Sequence, residues 1–330
     1  MSAHIAEGTS RFKVVSTFAG CGGSSFGYKM AGGEVRLAVE WDDNAAETYR
    51  RNHKGTHVYH GDIAALSVED ALNLSGIQPG QLDIFDGSPP CQGFSTVGKR
   101  KFNDNRNTLF REYIRLLRGF RPKVLVMENV SGMVKGKMKL VFAEVLRELK
   151  AAGYVVSARL MNAQFFGVPQ FRERMIFIGV RNDLGVQPSH PRPQSRPIMV
   201  GEALEGCVPT EVPRLTKTYL SVWYKVPVGG SMADILPSRS HFNDVVKLDP
   251  NRPSRTLLKT QTGRGFATVC HWAEPRAISI AEAKRIGSFP DDFEFVGKYE
   301  EQWARIGNSV PPLLMKAIAE HIRDNILSKI

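Results

Sequence analysis

An α/β fold with a mostly parallel sheet, joined to a smaller proline-rich region, is predicted from three observations. Short apolar runs alternate with helical patterns through the first half of the chain. That alternation stops near Arg181. Residues 188–253 then hold ten of the nineteen prolines in 66 positions, with no lasting periodicity. Alternating strands and helices imply a parallel sheet covered on both faces, and 330 residues suggest about two domains.

Taken in order, Lys13–Phe18, Val35–Val39, Leu82–Phe85, Val124–Met127, Val155–Leu160 and Met175–Val180 read as buried strands. They are short, rich in Val, Ile and Phe, and bounded by Gly, Pro or Asp. Asn44–Asn52, Leu109–Phe120 and Leu140–Ala151 read as helices; in the last, Leu140, Ala143, Val145, Leu146 and Leu149 fall at helical spacing. Loops and short antiparallel strands are expected in the proline-rich stretch. A helical pattern returns at Ala281–Ile286, and Val310–Ile326 reads as an amphipathic helix after a Pro-Pro start. The expected division is a main domain over 1–185 and 302–330, a smaller domain over 186–275, and a return segment over 276–301.

Hydrophobic residues make up 42% and charged residues 23%, an ordinary globular composition that excludes global disorder and collagen. No apolar run reaches the ~18–20 residues of a membrane helix, and the first residues carry no signal-peptide pattern. Four scattered cysteines without a C-x-x-C argue against a zinc ribbon or a disulfide framework and fit a reducing cytoplasm. The net charge of +11 points to a polyanionic partner. Residues 91–123 alone carry nine Lys or Arg against two acids. Arg111, Arg115 and Arg118 in that run fit either a solvated helix face or a nucleic-acid contact.

Five motifs carry chemistry. Phe18-Ala-Gly-Cys-Gly-Gly23 follows the first strand, where glycines let a ligand approach the backbone. Glu40 ends the second strand, a usual place for a carboxylate that bonds a ribose. The dinucleotide fingerprint fails because Ser25 stands at its last glycine, which disfavours a nicotinamide cofactor. Gly87-Ser-Pro-Pro-Cys91-Gln-Gly-Phe-Ser95 lies just past a strand end, where open α/β sheets place their chemistry; the alternative is a small buried cysteine. Met127-Glu-Asn-Val130 sets Glu128 at another strand end, as an acid or a helix cap. In Gln170-Phe-Arg172-Glu-Arg174 the arginines alternate by two and would share one strand face, positioning a carboxylate or phosphate, or lying on an exposed edge. Ile306-Gly-Asn-Ser-Val-Pro-Pro312 opens the last helix.

In this order the motifs are specific. The chain resembles the cytosine-5 DNA methyltransferases over nearly its whole length, in the compact bacterial restriction–modification form. Arg255-Thr256 and Ala283–Phe293 look like later segments of the same family. The resemblance implies a Rossmann-like S-adenosylmethionine-dependent methyltransferase domain and a target-recognition domain over 186–275. It implies an enzyme that methylates carbon 5 of a flipped-out cytosine in a specific duplex sequence through a covalent Cys91 adduct. Glu128 would protonate ring nitrogen 3, Arg174 and Asn129 would hold the base and Glu128, and Arg172 would support nearby backbone or phosphate.

For the cofactor the resemblance implies Phe18 and the backbone of Gly20, Gly22 and Gly23, with Glu40 on the ribose, Trp41 and Asp62 on the adenine, and Ile63 and Pro90 alongside. Asn308 and Ser309 would close the methionine end. Gln92, Ser95, Gly98, Lys99 and Arg106 would bind DNA. Arg192, Arg196, Arg214, Lys217, Tyr219, Trp223, Tyr224, Arg239 and Asn243 are the candidate readers of sequence, most of them expected to be structural. No metal and no membrane are expected. The protein would be a cytoplasmic monomer associated with the nucleoid through DNA, and a cognate restriction endonuclease would act separately. Two other readings stay open: a tRNA cytosine-5 methyltransferase of the same family, and a non-catalytic DNA-binding relative. Gln-Gly-Phe-Ser after Cys91 and the long insert favour DNA; intact Cys91, Glu128 and Arg174 favour an enzyme.

Overall fold

The computed structural model describes residues 12–90, 108–134, 136, 138–210, 214–236, 245–259 and 269–330. They group into two compact units, one of residues 12–162, 173–192 and 315–330, the other of 163–172 and 193–314.

The first unit runs β1 (Phe12–Thr17), α1 (Gly23–Met30), β2 (Gly33–Glu40), α2 (Asp43–Asn52), β3 (His57–His60), α3 (Val68–Ser75), β4 (Ile84–Gly87), α4 (Thr108–Phe120), β5 (Val124–Val130), α5 (Met138–Ala151), β6 (Tyr154–Asn162) and β7 (Glu173–Arg181). The strands form one sheet in the order β3-β2-β1-β4-β5-β7-β6. Pairing is parallel from β3 to β5 and antiparallel at β5–β7 and β7–β6. The chain leaves β1 toward one edge and β4 toward the other, so a topological switch point lies between them. Open α/β sheets bind ligands outside the carboxyl ends of the strands there.

Alternation decides which side chains face which layer. Val15, Leu37, Val39, Phe85, Leu125, Met127 and Phe177 share one core cluster with Tyr113, Leu117 and Phe120 of α4 and Val141, Val145 and Leu149 of α5. Ser16, Asp86, Val126 and Glu128 therefore point to the opposite face. Strand β3 and helix α3 go beyond the sequence reading. β3 is a half-exposed edge, His-Val-Tyr-His, without an apolar run. The ends of α3 are nonetheless marked: the Ser67 hydroxyl accepts from the Asp70 amide, and Gly76 closes the helix at φ +63°.

The second unit holds α6 (Val200–Leu204), α7 (Lys217–Trp223), β8 (Val246–Lys247), β9 (Val269–Cys270), α8 (Ile280–Ile286) and α9 (Tyr299–Asn308); α10 (Pro312–Asn325) begins in it and continues into the first unit. The expected antiparallel strands reduce, among the described residues, to isolated bridges such as Ser231 with Val246, beside a two-residue parallel pair, β8 with β9. Tyr219 and Trp223, candidate readers of sequence, are instead core residues. Each is 5% exposed, packed with Leu215, Val222, Val226, Met232 and Val245. The buried Lys247 ammonium sits 3.6 Å from the Trp223 ring and donates to the carbonyls of Trp223 and Val226. Tyr224, Arg192, Arg214 and Lys217 are exposed, Arg196 pairs with Glu202, and Arg239 and Asn243 lie outside the described residues.

Candidate active site

The turn after β1 is built from backbone that side chains disfavour. Phe18, Gly20 and Gly22 have φ of +54°, +57° and +95°. At Gly22 a Cβ would collide with the His53 and Tyr49 rings, so glycine is required for space as well as for φ. Tyr49 also donates to the Ser25 hydroxyl at 2.8 Å, fixing the first turn of α1.

The end of β2 grips this turn. One Glu40 oxygen accepts from the Gly20 amide at 2.7 Å; the other accepts from the amides of Trp41 and Asp42 at 3.0 and 2.9 Å. Trp41 beside it is 75% exposed, an unusual position for so large an apolar ring. Asp62 is exposed, and one of its oxygens accepts from the Ala64 amide. The segment after Asp62 is held by Arg115, whose guanidinium donates to the carbonyls of Ile63 and Leu66 at 3.0 and 2.8 Å and to Glu112 at 2.6 Å. By sequence Arg115 fits either a solvated helix face or a nucleic-acid contact. Its role is to clamp the loop that carries Asp62 and Ile63, which a charge count could not distinguish.

An open Gly20 turn, a carboxylate at the end of β2, an exposed indole and a surface carboxylate together suit an adenosyl ligand with a charged tail. Glu40→Ala is expected to raise the dissociation constant for S-adenosylhomocysteine by about 10- to 100-fold, since each polar bond is worth about 1–3 kcal/mol to a charged group. Isothermal titration checks this, and an affinity within about twofold of wild type would remove Glu40 from the site.

At the ends of β4, β5 and β7 a second cluster forms. Glu128 on β5 and Arg174 on β7 make an ion pair of 2.7 Å, each side chain only 12–13% exposed. The antiparallel register places Glu128 opposite Ile176 and Val130 opposite Arg174, so the two side chains share a sheet face. Asn129 is buried; its amide donates to the Pro89 carbonyl at 3.2 Å, and its oxygen accepts from the Val130 amide. It thus ties β5 to the backbone that leads, through Pro90, into position 91. Cys91, Gln92, Ser95, Gly98, Lys99 and Arg106 lie outside the described residues.

Arg172 departs from the expected geometry. It precedes β7, belongs to the second unit and is 2% exposed, so it shares no strand face with Arg174. It donates to the carbonyls of Leu257, Gly307 and Ser309 at 3.0, 2.7 and 2.9 Å, and to Gln170 at 3.4 Å. Of the roles left open for it, the structure gives it backbone support. Asn308 and Ser309, also in the second unit, end α9; Asn308 is exposed and the Ser309 hydroxyl donates to the Arg305 carbonyl. At Gly307 a Cβ would lie 2.5 Å from the Leu258 carbonyl, which explains the glycine of Gly-Asn-Ser.

Among the described residues no group of three or more His, Cys, Asp or Glu is placed to hold a metal ion, and no helix is long and apolar enough to cross a membrane.

The family model for C-5 cytosine-specific DNA methylase matches residues 12–324. Two curated relatives are the Type II methyltransferases M.NgoFVII of Neisseria gonorrhoeae, 32% identical over 94% of this chain and 86% of its own length, and M1.HphI of Haemophilus parahaemolyticus, 35% identical over 93% and 86%. Among solved structures, a prophage-encoded E. coli protein described as a DNA modification methyltransferase aligns with TM-score 0.74 at 25% identity, covering 96% of this chain and 99% of its own. Spodoptera frugiperda DNMT2 aligns with TM-score 0.67 at 20% identity over 92% and 97%, a likeness of fold.

Proposed function

Because this chain belongs to the C-5 cytosine-specific DNA methylase family, we propose that Cys91 is the nucleophile with which it methylates cytosine in duplex DNA, and that residues 186–275 choose the sequence. The observation that carries this reading is the cluster at the strand ends. Glu128 pairs with Arg174 at the end of β5, and the next residue, Asn129, bonds the Pro89 carbonyl two residues before Cys91.

Carbon 5 of cytosine is too weak a nucleophile to take a methyl group directly. The Cys91 thiolate bonds to carbon 6, and the electron pair of the 5,6 double bond moves to carbon 5. Glu128, paired with Arg174 and held in orientation by it, would take up a proton as the base enters and pass it to ring nitrogen 3, draining the developing charge. Once carbon 5 is methylated, a water-relayed base takes its proton, the double bond re-forms as the thiolate leaves, and nitrogen 3 returns its proton to Glu128. Bound S-adenosylmethionine supplies the methyl as a sulfonium, an electrophile with a good leaving group; Phe18, Gly20, Gly22, Gly23, Glu40, Trp41, Asp62, Ile63 and Pro90 would hold it. The target base must leave the stack to meet these groups, at a cost of about a few kcal/mol. Gln92, Ser95, Gly98, Lys99 and Arg106 are placed by sequence to close on the DNA.

The test is tritiated methyl transfer to duplex DNA and to tRNA in parallel. Transfer to duplex alone is expected; transfer confined to tRNA would replace the substrate. No metal is required in this reading, so activity survives chelation by EDTA. The enzyme works as a cytoplasmic monomer, apart from any cognate endonuclease, and sedimentation checks its size.

Sequence choice is expected to move with residues 186–275. Grafting that segment from a methyltransferase of different specificity transfers the donor's site, read by sequencing methylated host DNA. The graft must carry its own buried counterparts of Tyr219 and Trp223, since these fill the small core. The exposed Arg192, Arg214, Lys217 and Tyr224 remain as described candidate readers; a good base contact is worth about 1–3 kcal/mol of discrimination. An active chimera that keeps the original pattern would refute the division.

A further inference from the structure

Asp86 is a buried carboxyl that the chemistry above leaves unused. It sits on β4, one residue before Gly87, and is 2% exposed. In register it lies between Ser16 of β1 and Val126 of β5. Two hydroxyls converge on it: Ser16 donates to one carboxyl oxygen at 2.9 Å and Tyr28 of α1 donates to the other at 3.1 Å. The Thr17 hydroxyl donates to its backbone carbonyl at 3.1 Å. Ser16 and Thr17 end β1 and lead directly into the Phe18–Gly23 turn, and α1 leaves that turn. Asp86 leads directly into Gly87-Ser-Pro-Pro-Cys91. The switch point thus has a polar tie across it, from the cofactor side to the nucleophile side.

We propose that Asp86 is a positioning residue for methyl transfer, holding the strand and helix that flank the glycine turn in register with the strand end that delivers Cys91. A buried polar group needs its partners: the carboxyl has Ser16 and Tyr28, Thr17 adds a bond to the backbone carbonyl, and all three join the elements that lead into the two loops of the reaction. The proposal rests on Cys91 being the nucleophile. Adduct formation by the wild type on 5-fluorocytosine duplex DNA tests that reading separately.

The surroundings agree. Burial pushes the Asp86 carboxyl up to about 7, the Ser16 and Tyr28 bonds pull it back, and the charge of Glu128 pushes it up again. The other titratable groups facing it are Tyr28 of α1, Tyr49 of α2 and Tyr113 of α4, each raised by burial and by the Asp86 charge. The folded carboxyl therefore keeps its proton between about 4 and about 7, where the unfolded chain has lost it. Stability falls as pH rises through that window. Asparagine cannot ionise, so the melting temperature of Asp86→Asn relative to wild type is expected to climb from about pH 4 to about pH 7 and then level. A constant difference would show that the carboxyl does not titrate in that window; the positioning role is decided by the kinetics of the variants.

Asp86→Asn keeps an oxygen for Tyr28 and an amide for Ser16; Asp86→Ala keeps neither. For Asp86→Ala, kcat is expected to fall by more than about tenfold while the KM for S-adenosylmethionine changes by less than about threefold; Asp86→Asn should restore kcat to within about threefold of wild type. An alanine variant within about twofold of wild type, or an asparagine variant no better than the alanine one, would overturn the proposal. If the alanine variant does not fold, Ser16→Ala and Tyr28→Phe decide. A kcat loss above about threefold at unchanged KM in either supports the tie, and wild-type kinetics in both refute it.

Discussion

Cys91→Ser is expected to lower methyl transfer to duplex DNA by at least about 10³-fold while leaving S-adenosylhomocysteine affinity within about twofold of wild type. The size follows from the role. A free thiol has a pKa of roughly 8.5, so a useful fraction is thiolate near neutrality, whereas a serine hydroxyl remains protonated and needs a strong base to attack. The bonds described for Glu40, Trp41 and Asp62 run within residues 20–64, so cofactor binding should not follow activity down. Wild type should form a denaturation-resistant adduct with duplex DNA containing 5-fluorocytosine, because fluorine cannot leave as a proton does. The serine variant should form none. An adduct in the serine variant, or a loss of cofactor affinity equal to the loss of rate, would remove Cys91 from the role of nucleophile.

The fold was legible where physics acts locally. Buried strands read as short runs of Val, Ile, Leu and Phe whatever their direction, and β1, β2, β4, β5 and β7 each contain one; the antiparallel edge strand β6 is marked by Val155 and Val156. What escaped depends on distant partners. β3 pairs only with β2, and its outer edge exposes two histidines, so neither alternation nor an apolar run marks it. The antiparallel direction of β7 between β5 and β6 was hidden because strand patterns carry no sense of direction. Proline density suggested loops and short antiparallel strands where α6 and α7 form. α7 is a short helix whose Thr216 cap, accepting from the Tyr219 amide, outweighs the prolines around it.

The site was legible as a set of motifs and less so as a set of contacts. Glu128 and Arg174 are 46 residues apart in sequence, and only the β5–β7 register brings them to 2.7 Å. Arg115 looked like one of several solvent-facing cations, yet two of its bonds reach carbonyls about 50 residues upstream. Tyr219 and Trp223 read as aromatics available to bases, but they fill a core cluster with Leu215, Val222, Val226, Met232 and Val245, contacts that no local pattern announces. Asp86 carried no signal at all, because an aspartate at a strand end usually reads as a solvated or capping carboxylate.

Arg172→Ala is expected to be among the most destabilising single changes in the protein. Three backbone carbonyls, of Leu257, Gly307 and Ser309, depend on this one guanidinium. They come from two segments about 50 residues apart in sequence, and Gln170 is in the same network: its oxygen accepts from the Leu257 amide and its amide donates to the Ile286 carbonyl. Each buried carbonyl left without a donor costs about 1–3 kcal/mol. Because the three share one donor the costs do not simply add, and roughly 3–5 kcal/mol is the expected total. At about 2–4 °C per kcal/mol for a chain of this size or somewhat smaller, the melting temperature should drop by roughly 10 °C. Lysine cannot repair this, since its single ammonium lacks the fork that reaches carbonyls on two sides; Arg172→Lys should recover less than about half of the loss. Differential scanning calorimetry with and without S-adenosylhomocysteine provides the measurement. If Arg172 acted on DNA phosphate instead, the alanine variant would melt like wild type and lose DNA affinity with a flatter salt dependence, by about 0.9 per lost phosphate contact.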